Sequence, residues 1–378
     1  MQIKLSQEQI MLRDMVREFT EKEIAPRDKW MDENGFDREL FEKMKEAGFF
    51  TIPLPREYGG AGCDFVTNTM VIHEVAKGSA SIALFLDSAW LGADMILVNG
   101  NDEQKKKYLS EAAEGKLICF ALTEPSGGSD AAALKSTAVK NADGNWVLCG
   151  SKSWITNIEA DYYVIMAKTD PAAGSRGIST FIVPRGAEGF SVGNHEDKMG
   201  LRGSETGELF YDNVILPPDA LLGELGMGFK YAMAALDGAR VSIAAVSTGL
   251  TAHAMEIAKN YANERVTFGK PIAKHQGVQF KFAEISSRLH AMELMIYDAA
   301  AMKAAGQRLT LQAAQTKLLC STWATQLCLE CMQVLGGNGC SKEFHVERFV
   351  RDAKMIEIAE GTSEILRMLI GGNVLASK

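Results

Sequence analysis

Helices first, a compact β domain in the middle and a helical bundle at the end: this is the fold class the sequence predicts, a multidomain and mainly α chain. Three observations lead to it. Apolar residues recur at helical spacing from residue 1 to about 115, the pattern switches near 116 to short β-branched and aromatic runs, and a helical period returns from about 226. Helices and strands are thus segregated along the chain, which argues against the alternating strand–helix order of a doubly wound nucleotide-binding sheet. No GxGxxG follows a strand-like segment.

In the first segment, LSQEQIMLRDMVREFTEKEI places Ile10, Leu12, Met15, Val16, Phe19 and Ile24 near one helix face, with charges opposite. FDRELFEKMKEAGFFTI repeats the pattern and stops at Gly48, a residue that ends helices because it accepts a left-handed backbone. After the turn PREYGGAG, the long apolar segment from Val66 to Leu97 reads as buried helix. In the second segment KLICFALTE, NWVLCGSKSWITN, DYYVIMAKT and GISTFIVPR read as strands, with turn signals such as Asp143-Gly144 between them. NVILPPDALLG, with its two prolines, reads as the exit from this domain. In the third segment Val278, Phe282, Ile285, Leu289, Met292 and Ile296 are spaced 4, 3, 4, 3, 4 and form one apolar stripe on a long helix.

Composition narrows the function. The 378 residues are 47% hydrophobic and 23% charged, an ordinary globular balance. With a formal charge of -8 the chain does not offer the concentrated basic patch that nucleic acid requires. MQIKLSQEQIMLRDMVREF is amphipathic from its start and lacks the apolar region of a signal peptide. No apolar run reaches the roughly 18 residues expected of a membrane span. Seven scattered cysteines, an odd number, indicate reduced thiols in a cytoplasm. Cys328 and Cys331 form a CxxC, but inside the apolar run CSTWATQLCLECMQVLGG with no second CxxC and no nearby histidine, so core packing is the expectation. The six histidines are dispersed, and no metal site is expected.

Five stretches carry candidate chemistry, and each has a bland reading beside the functional one. In FALTEPSGGSD, Thr123 and Ser129 surround Gly127 and Gly128, where backbone can approach phosphate oxygens or a polar heteroaromatic edge; an ordinary glycine-rich turn looks the same. In SKSWITN, Trp154 could lie beside a planar ring with Thr156 at its edge, or be a core tryptophan beside a surface threonine. ERVTFGKPIAKHQ offers Arg265, Phe268 and Gly269 as a diphosphate clamp with an aromatic platform, or as a solvated helix end. QVLGGNGC exposes main-chain amides to a phosphate, or forms a plain helix C-cap and turn. In IAEGTSEILR, Glu360 stands between Ala359 and Gly361, either as a solvated loop carboxylate or as a general base that needs room for a substrate.

Taken together and in this order, LTEPSGGSD, SWITN, KMGLRGSE, LDGAR, ERVTFGKP, QVLGGNG and AEGTSEI resemble the acyl-CoA dehydrogenase family of flavoproteins, its short-chain, butyryl-CoA-type members in particular. The resemblance covers essentially the whole chain. It implies an N-terminal helical domain (1–115), a middle β-barrel-like domain (116–225) and a C-terminal four-helix bundle (226–378). It implies FAD, with Thr123 and Ser129 at the flavin edge and its phosphate, Trp154 flanking the ring, Thr156 near flavin N5, and Thr362 also on the cofactor side. Arg265, Phe268, Gln276, Gln333 and Gly337 match positions that hold the ADP half, contributed in this family by a neighbouring subunit. A homotetramer built as a dimer of dimers is therefore expected.

Glu360 falls on the position of the family's base, which takes the α-proton of an acyl-CoA thioester while a hydride leaves the β-carbon for flavin N5. Both carbons lie between carboxylate and flavin, so small flanking residues keep the approach open. In this family the developing enolate oxygen is bound by the base residue's own N–H and a ribityl hydroxyl. Ser129, Gly361, Asp237 and Arg240 match substrate-side positions, Arg240 near the thioester or the carboxylate and Asp237 near the CoA adenine or ribose. Thr362 or Ser363 is expected to cap the next helix, and Glu364 and Glu357 take structural or cofactor-side roles. The alternative base position some members use, on the LDGAR helix, is Ala239 here. An electron-transferring flavoprotein is the implied electron partner. The residues do not set the direction, so dehydrogenation and enoyl-CoA reduction both fit.

One departure bears on the substrate. Many straight-chain members carry a tyrosine just before the base, where this chain has Ala359; the added room favours a branched, cyclic or aryl-substituted acyl group. SIALFLDSAWLGADM is expected to form the far wall of that pocket, with Leu84, Phe85 and Trp90 either shortening it or packing in the core. An acyl-CoA oxidase is disfavoured because those enzymes carry an added C-terminal domain, and a nitroalkane oxidase because it has aspartate at the base position. DNA-associated members carry a basic extra domain that a chain of this charge does not match. An acyl-carrier-protein-linked dehydrogenase and a non-catalytic flavin-binding homologue stay as alternatives.

Overall fold

The computed structural model describes residues 5–376. Helix α1 (Gln7–Phe19) opens on a capping box in which Ser6 and Gln9 each accept the other's backbone N–H. Then come α2 (Asp28–Asn34), α3 (Arg38–Glu46), α4 (Phe65–Ala76) and α5 (Ala80–Asn99), followed by α6 (Asp102–Gln104) and α7 (Ser110–Ala113) across a π-helical turn. Gly48 does follow α3 with a left-handed backbone, φ 79°. Two expectations change here. The buried line at the start of the chain is Val16, Thr20 and Ile24, each one helical turn on, whereas Met15 sits about 100° round from Val16 and is solvent-exposed. The apolar stretch 66–97 is two helices, because the chain turns at 77–79 and Ser79 Oγ caps α5 through the Ile82 N–H at 3.3 Å.

The middle region begins with β1 (Ile118–Ala121) and continues through β2 (Thr137–Lys140), β3 (Trp146–Thr156), β4 (Tyr162–Lys168), β5 (Ile178–Pro184), β6 (Phe190–His195), β7 (Thr206–Leu216) and β8 (Leu221–Leu222). The strand order is β6-β7-β3-β2-β4-β5-β8, with β1 parallel to β4. The sheet expected to be barrel-like does not close. β4 shows why its two faces have different work: Tyr163, Ile165 and Ala167 enter the domain's own core, while Tyr162, Val164 and Met166 pack into a second core with Ile96 of α5 and Leu109. A strand covered on both faces reads as a continuous apolar run, which is what DYYVIMAKT is.

The third region is α8 (Gly228–Glu264), a hairpin of β9 (Val266–Thr267) and β10 (Lys270–Pro271), then α9 (Gln276–Ala304), α10 (Thr310–Leu335), α11 (Val346–Ile358) and α12 (Ser363–Ala376). α10 packs against α8, α9, α11 and α12, and α8 also packs on α4 and α5. Ile285, Leu289, Met292 and Ile296 of the stripe on α9 are buried, with Val278 and Phe282 partly so. Cys328 and Cys331 lie in the same core, where burial pushes the Cys331 thiol up to about 12. By length and hydropathy α5 and α8 could each cross a membrane, with mean hydropathies of 1.6 and 1.2. The uninterrupted-run criterion missed them because such windows tolerate charges, here Asp87 and Asp94 in α5. In both, 72% of the window is buried within the fold, as in a core helix.

α11 ties the regions together. Arg348 pairs with Asp28 of α2, and Arg351 bonds Asp32 of α2 at 2.7 Å and the Met199 carbonyl of the middle region at 2.7 Å. Asp352 accepts the Leu201 N–H at 2.6 Å.

Candidate active site

α11 ends at Ile358 and runs directly into the turn that carries Glu360. Ala359 still donates its N–H to Met355 at 3.0 Å, then Glu360 takes φ 55° and Gly361 φ 111° before α12 begins at Ser363. A left-handed glutamate is uncommon and mildly strained, so surrounding structure must hold it. Lys317 does so. Its fully buried ammonium donates to the Glu357 carbonyl at 3.0 Å and the Gly361 carbonyl at 2.7 Å, pinning the chain on both sides of Glu360.

Glu360 is not a solvated loop charge. Its Oε2 is sealed from solvent and has no hydrogen-bond partner among the described residues. Burial raises its pKa well above the usual carboxylate range and the nearby Asp87 adds to this, while Lys317 and Arg240 oppose it. Such a carboxyl binds a proton avidly once ionised, as a general base should. Gly361 is needed for its φ of 111°, which L side chains rarely adopt, and it sits beside the Arg240 guanidinium. Arg240, buried on α8, donates from Nη1 to Asp237 at 2.8 Å, and its Nε has no partner among the described residues. The other Asp237 oxygen accepts from Thr310 at 2.7 Å, so this carboxylate braces Arg240. Thr362 Oγ1 accepts the Ile365 N–H at 3.4 Å and caps α12.

A second group surrounds the end of β1. The Thr123 carbonyl accepts the Ser153 N–H at 3.0 Å, joining the loop 123–129 to β3. Behind it, buried Glu124 accepts from Lys152 at 2.8 Å and from the Ser136 hydroxyl at 2.5 Å, leaving Gly128 and Ser129 exposed in front. Burial alone would raise the Glu124 pKa, but Lys152 and the hydrogen bonds outweigh it and hold it below the usual range. On β3 the register against β7 shifts between Lys152 and Ile155, and at this bulge Trp154 takes φ 58° and stands 55% exposed. Thr156 follows, half-buried, and the Asn157 side chain bonds the Phe85 carbonyl of α5 at 2.9 Å. An exposed indole, a nearby hydroxyl and a loop with free glycine faces fit a planar heteroaromatic ring with a phosphate tail.

The third group lies in the C-terminal region. Arg265, Gln333, Gly336, Gly337 and Asn338 line one cleft of about 310 Å³ with Tyr261, whose hydroxyl accepts from Asn338 at 3.0 Å. Nothing within 4 Å would meet a Cβ at Gly337, so its backbone is open to a ligand. Phe268 sits at the tip of the β9–β10 hairpin with φ 50° beside Gly269 at 78°, the paired positive φ of a tight hairpin turn. It is 96% exposed. Gln276 opens α9, also exposed. A guanidinium, main-chain amides and a bare aromatic ring form a set that suits an aryl-substituted diphosphate.

Of the two roles left open for the large residues of α5, Phe85 and Trp90 take core packing. Phe85 packs with Phe36, Phe41 and Phe50, and Trp90 donates to the Phe49 carbonyl at 3.2 Å, so both belong to the N-terminal core. Lys317, Lys152 with Glu124, and Asp87 went unnoticed in the sequence. For Asp87 the signal was a charge inside the apolar run IALFLDSAWL; Lys152, Glu124 and Lys317 sit among polar neighbours and gave none.

Known proteins resemble the chain over nearly its whole length. Residues 6–116, 119–214 and 226–375 match the models of the acyl-CoA dehydrogenase N-terminal, middle and C-terminal domains. An acyl-CoA dehydrogenase of Bacillus subtilis is 44% identical over 375 residues, covering 98% of this chain and 99% of its own. Butyryl-CoA dehydrogenase from Megasphaera elsdenii superimposes with a TM-score of 0.97 at 38% identity, over 99% of this chain and 100% of the other. A chain in a structure of the electron transferring flavoprotein of Acidaminococcus fermentans, studied for flavin-based electron bifurcation, gives a TM-score of 0.97 at 39% identity, over 100% of both chains.

Proposed function

Because this chain belongs to the acyl-CoA dehydrogenase family of flavin-dependent oxidoreductases, we propose that it dehydrogenates a short or substituted acyl-CoA thioester between the α and β carbons, or runs the reverse enoyl-CoA reduction. The observation that carries this reading is the Glu360 turn: a carboxylate with one oxygen, Oε2, sealed and without a hydrogen-bond partner among the described residues, held in a left-handed conformation by Lys317. A bound acyl chain would exclude the remaining water, raise the proton affinity of Glu360 further and let it take the α-proton. The Glu360 N–H, two residues past the end of α11, would polarise the thioester carbonyl as charge develops there. Arg240, braced by Asp237, supplies a fixed positive charge at the turn. Ala359 leaves room beside the reacting carbons for a substituted acyl group.

FAD is the cofactor we assign. Thr123, Ser129, Trp154 and Thr156 would hold the ring end, and Arg265, Phe268, Gln276, Gln333 and Gly337 an ADP half. When bound, the flavin supplies the hydride acceptor. The bare Phe268 ring, with exposed Phe280, Leu294 and Leu329 on the same bundle, supports a homotetramer in which one subunit's clamp serves another's cofactor. The similarity to a chain from an electron transferring flavoprotein structure supports such a flavoprotein as the electron partner. Free thiols at all seven cysteines suit a reducing cytoplasm.

The test is anaerobic titration of the purified flavoprotein with butyryl-, isobutyryl-, isovaleryl-, octanoyl- and 3-phenylpropionyl-CoA, beside Glu360→Gln. Bleaching of the flavin by one thioester, lost by three orders of magnitude or more in rate in Glu360→Gln, is the expected result. Bound flavin that none of them bleaches would turn the reading toward a carrier-protein thioester. A protein that binds no flavin would overturn it.

A further inference from the structure

The segment between β6 and β7 is bonded to both halves of the proposed chemistry. At one end Thr206 opens β7 directly opposite Thr156 of β3, and the Asn157 N–H donates to the Glu205 carbonyl at 2.9 Å. At the other, residues 199–201 lie against α11, the helix that leads into the Glu360 turn. The Met199 carbonyl accepts from Arg351 at 2.7 Å. A Cβ on Gly200 would stand 2.7 Å from the Arg351 carbonyl carbon and 2.8 Å from the Asp352 nitrogen, so backbone rests on backbone with no room for a side chain. Leu201 takes φ 51°, donates its N–H to Asp352 Oδ1 at 2.6 Å, and buries its side chain in the core that also holds Val346, Phe349, Ala353 and Ile356 of α11. The Ser204 N–H then returns to the Leu201 carbonyl at 3.1 Å, and Lys198 donates to the Ser204 carbonyl at 2.7 Å, closing the segment into one compact turn.

Asp352 is an odd residue for this place if stability alone chose it. It is 2% exposed; burial and then Asp28 push it up to about 7, with Asp32 adding and the Leu201 N–H and Arg348 opposing. A buried carboxyl beside two others costs stability, a cost that some proteins retain because the polar group fixes a register. We propose that Asp352 is a positioning residue: through the Leu201 amide it sets the spacing between the turn that carries Glu360 and the strand edge at Trp154 and Thr156. This rests on the reading of Glu360 as the base and of that strand edge as the ring end of the flavin site. The two reacting carbons must lie between them, and a misplacement of about 1 Å costs on the order of a hundredfold in rate. Lys317 fixes the shape of the Glu360 turn within the helical bundle. Asp352, about two helical turns earlier on α11, fixes where that turn stands against the sheet. A left-handed residue other than glycine keeps its conformation only where the surroundings over-determine it, and at Leu201 the Asp352 bond does so.

The test separates two steps in the holoenzyme. Flavin reduction, measured with whichever thioester of the titration above bleaches the wild type fastest, needs base and ring aligned. Methylthioacetyl-CoA has sulfur in place of the β-carbon; it can lose an α-proton to Glu360 and regain a deuteron from deuterated water, but has no β-hydride to give, so its exchange needs the base turn alone. Asp352→Leu should slow flavin reduction at saturating thioester by about tenfold to a hundredfold and leave α-proton exchange within about threefold of wild type. Asp352→Asn keeps the acceptor oxygen and restores reduction. Amide hydrogen exchange of the resting holoenzyme gives a readout apart from turnover: in Asp352→Leu the Leu201 amide exchanges faster, while the Ala359 amide, bonded to the Met355 carbonyl, stays protected. If Asp352→Leu does not fold, Asp352→Ala is read in the same way; failure of both to fold makes Asp352 structural and overturns the proposal. Equal loss of both steps, loss of neither, Asp352→Asn as slow as Asp352→Leu, or a wild type that reduces its flavin without exchanging also overturns it, and each leaves the dehydrogenase reading standing. Bound flavin that no acyl-CoA reduces overturns both.

Discussion

Lys152, in the sheet, and Lys317, in the helical bundle, are both fully buried, and burial pushes both down to about 8. Their bonding differs. Lys152 meets a carboxylate, Glu124, at 2.8 Å and also donates to the Leu122 carbonyl at 3.1 Å, so its charge is spent within an internal pair. Among the described residues Lys317 bonds only carbonyls, those of Glu357 and Gly361, and its charge is left to act on Glu360. One buried cation fixes the shape of a ligand loop, the other fixes both the shape and the electrostatics of a proton acceptor. Burial alone therefore does not say what a charged residue is for; its partners do.

The comparison can be broken at either lysine. Lys152→Met leaves Glu124 buried and unpaired, and the expected loss is about 3–5 kcal/mol of stability, read as a lower denaturation midpoint, with flavin released first. The Lys152→Met/Glu124→Gln double variant recovers part of that loss, because no uncompensated charge remains. Lys317→Met has a smaller effect on stability, about 1–3 kcal/mol for two carbonyls left unsatisfied. Its effect on catalysis is larger, a roughly tenfold to hundredfold fall in kcat from a turn no longer pinned. It also moves the acid limb of the rate profile to higher pH, since Glu360 loses a neighbouring positive charge and must still be ionised to act. If kcat and the acid limb are unchanged, Lys317 only fills space.

A subtler distinction comes from alkaline pH. Each lysine's folded pKa is depressed from 10.5 to about 8, so its contribution to stability is present above the unfolded value and is lost as pH falls through the folded one. Raising pH from about 8 to 10.5 thus favours the native state at both positions. At Lys317 the neutral amine still has two N–H groups for its two carbonyls, whereas at Lys152 it leaves Glu124 without a cation. The wild type should gain on the order of 3 kcal/mol over Lys317→Met across this range, and less over the Lys152→Met/Glu124→Gln variant, as measured by denaturant melts at each pH.

Much of this was legible in the sequence, for stated reasons. The change of period near 116 and again near 226 reflects real helices and strands, and a continuous run such as DYYVIMAKT announces a strand buried on both faces. Glu360 was visible because a carboxylate between alanine and glycine is odd in itself. Arg265, Gln333 and Gly337 were separate motifs that the fold gathers into one cleft. What stayed hidden depends on which way a side chain turns. Phe85 and Trp90 share α5 with Asp87, and sequence left them open as pocket walls or core; the helix aims those rings into the N-terminal core. Likewise Lys317 is one charge in QTKLLCSTW, indistinguishable from a snorkelling surface lysine until the Glu357 and Gly361 carbonyls are in place. The openness of the sheet was hidden as well, since strand count does not say whether a sheet's ends meet.

The helix that leads into the Glu360 turn is also the one whose arginines and aspartate grip α2 and the segment around Met199 and Leu201. Chemistry and assembly thereby share a single rod. A shift of the N-terminal helices against the bundle would pull on the same three turns of backbone that deliver the base, so the site acts as a proofreader of its own fold. A chain whose three regions have not yet docked has no carboxylate in position, and thus cannot begin to deprotonate a thioester half-made.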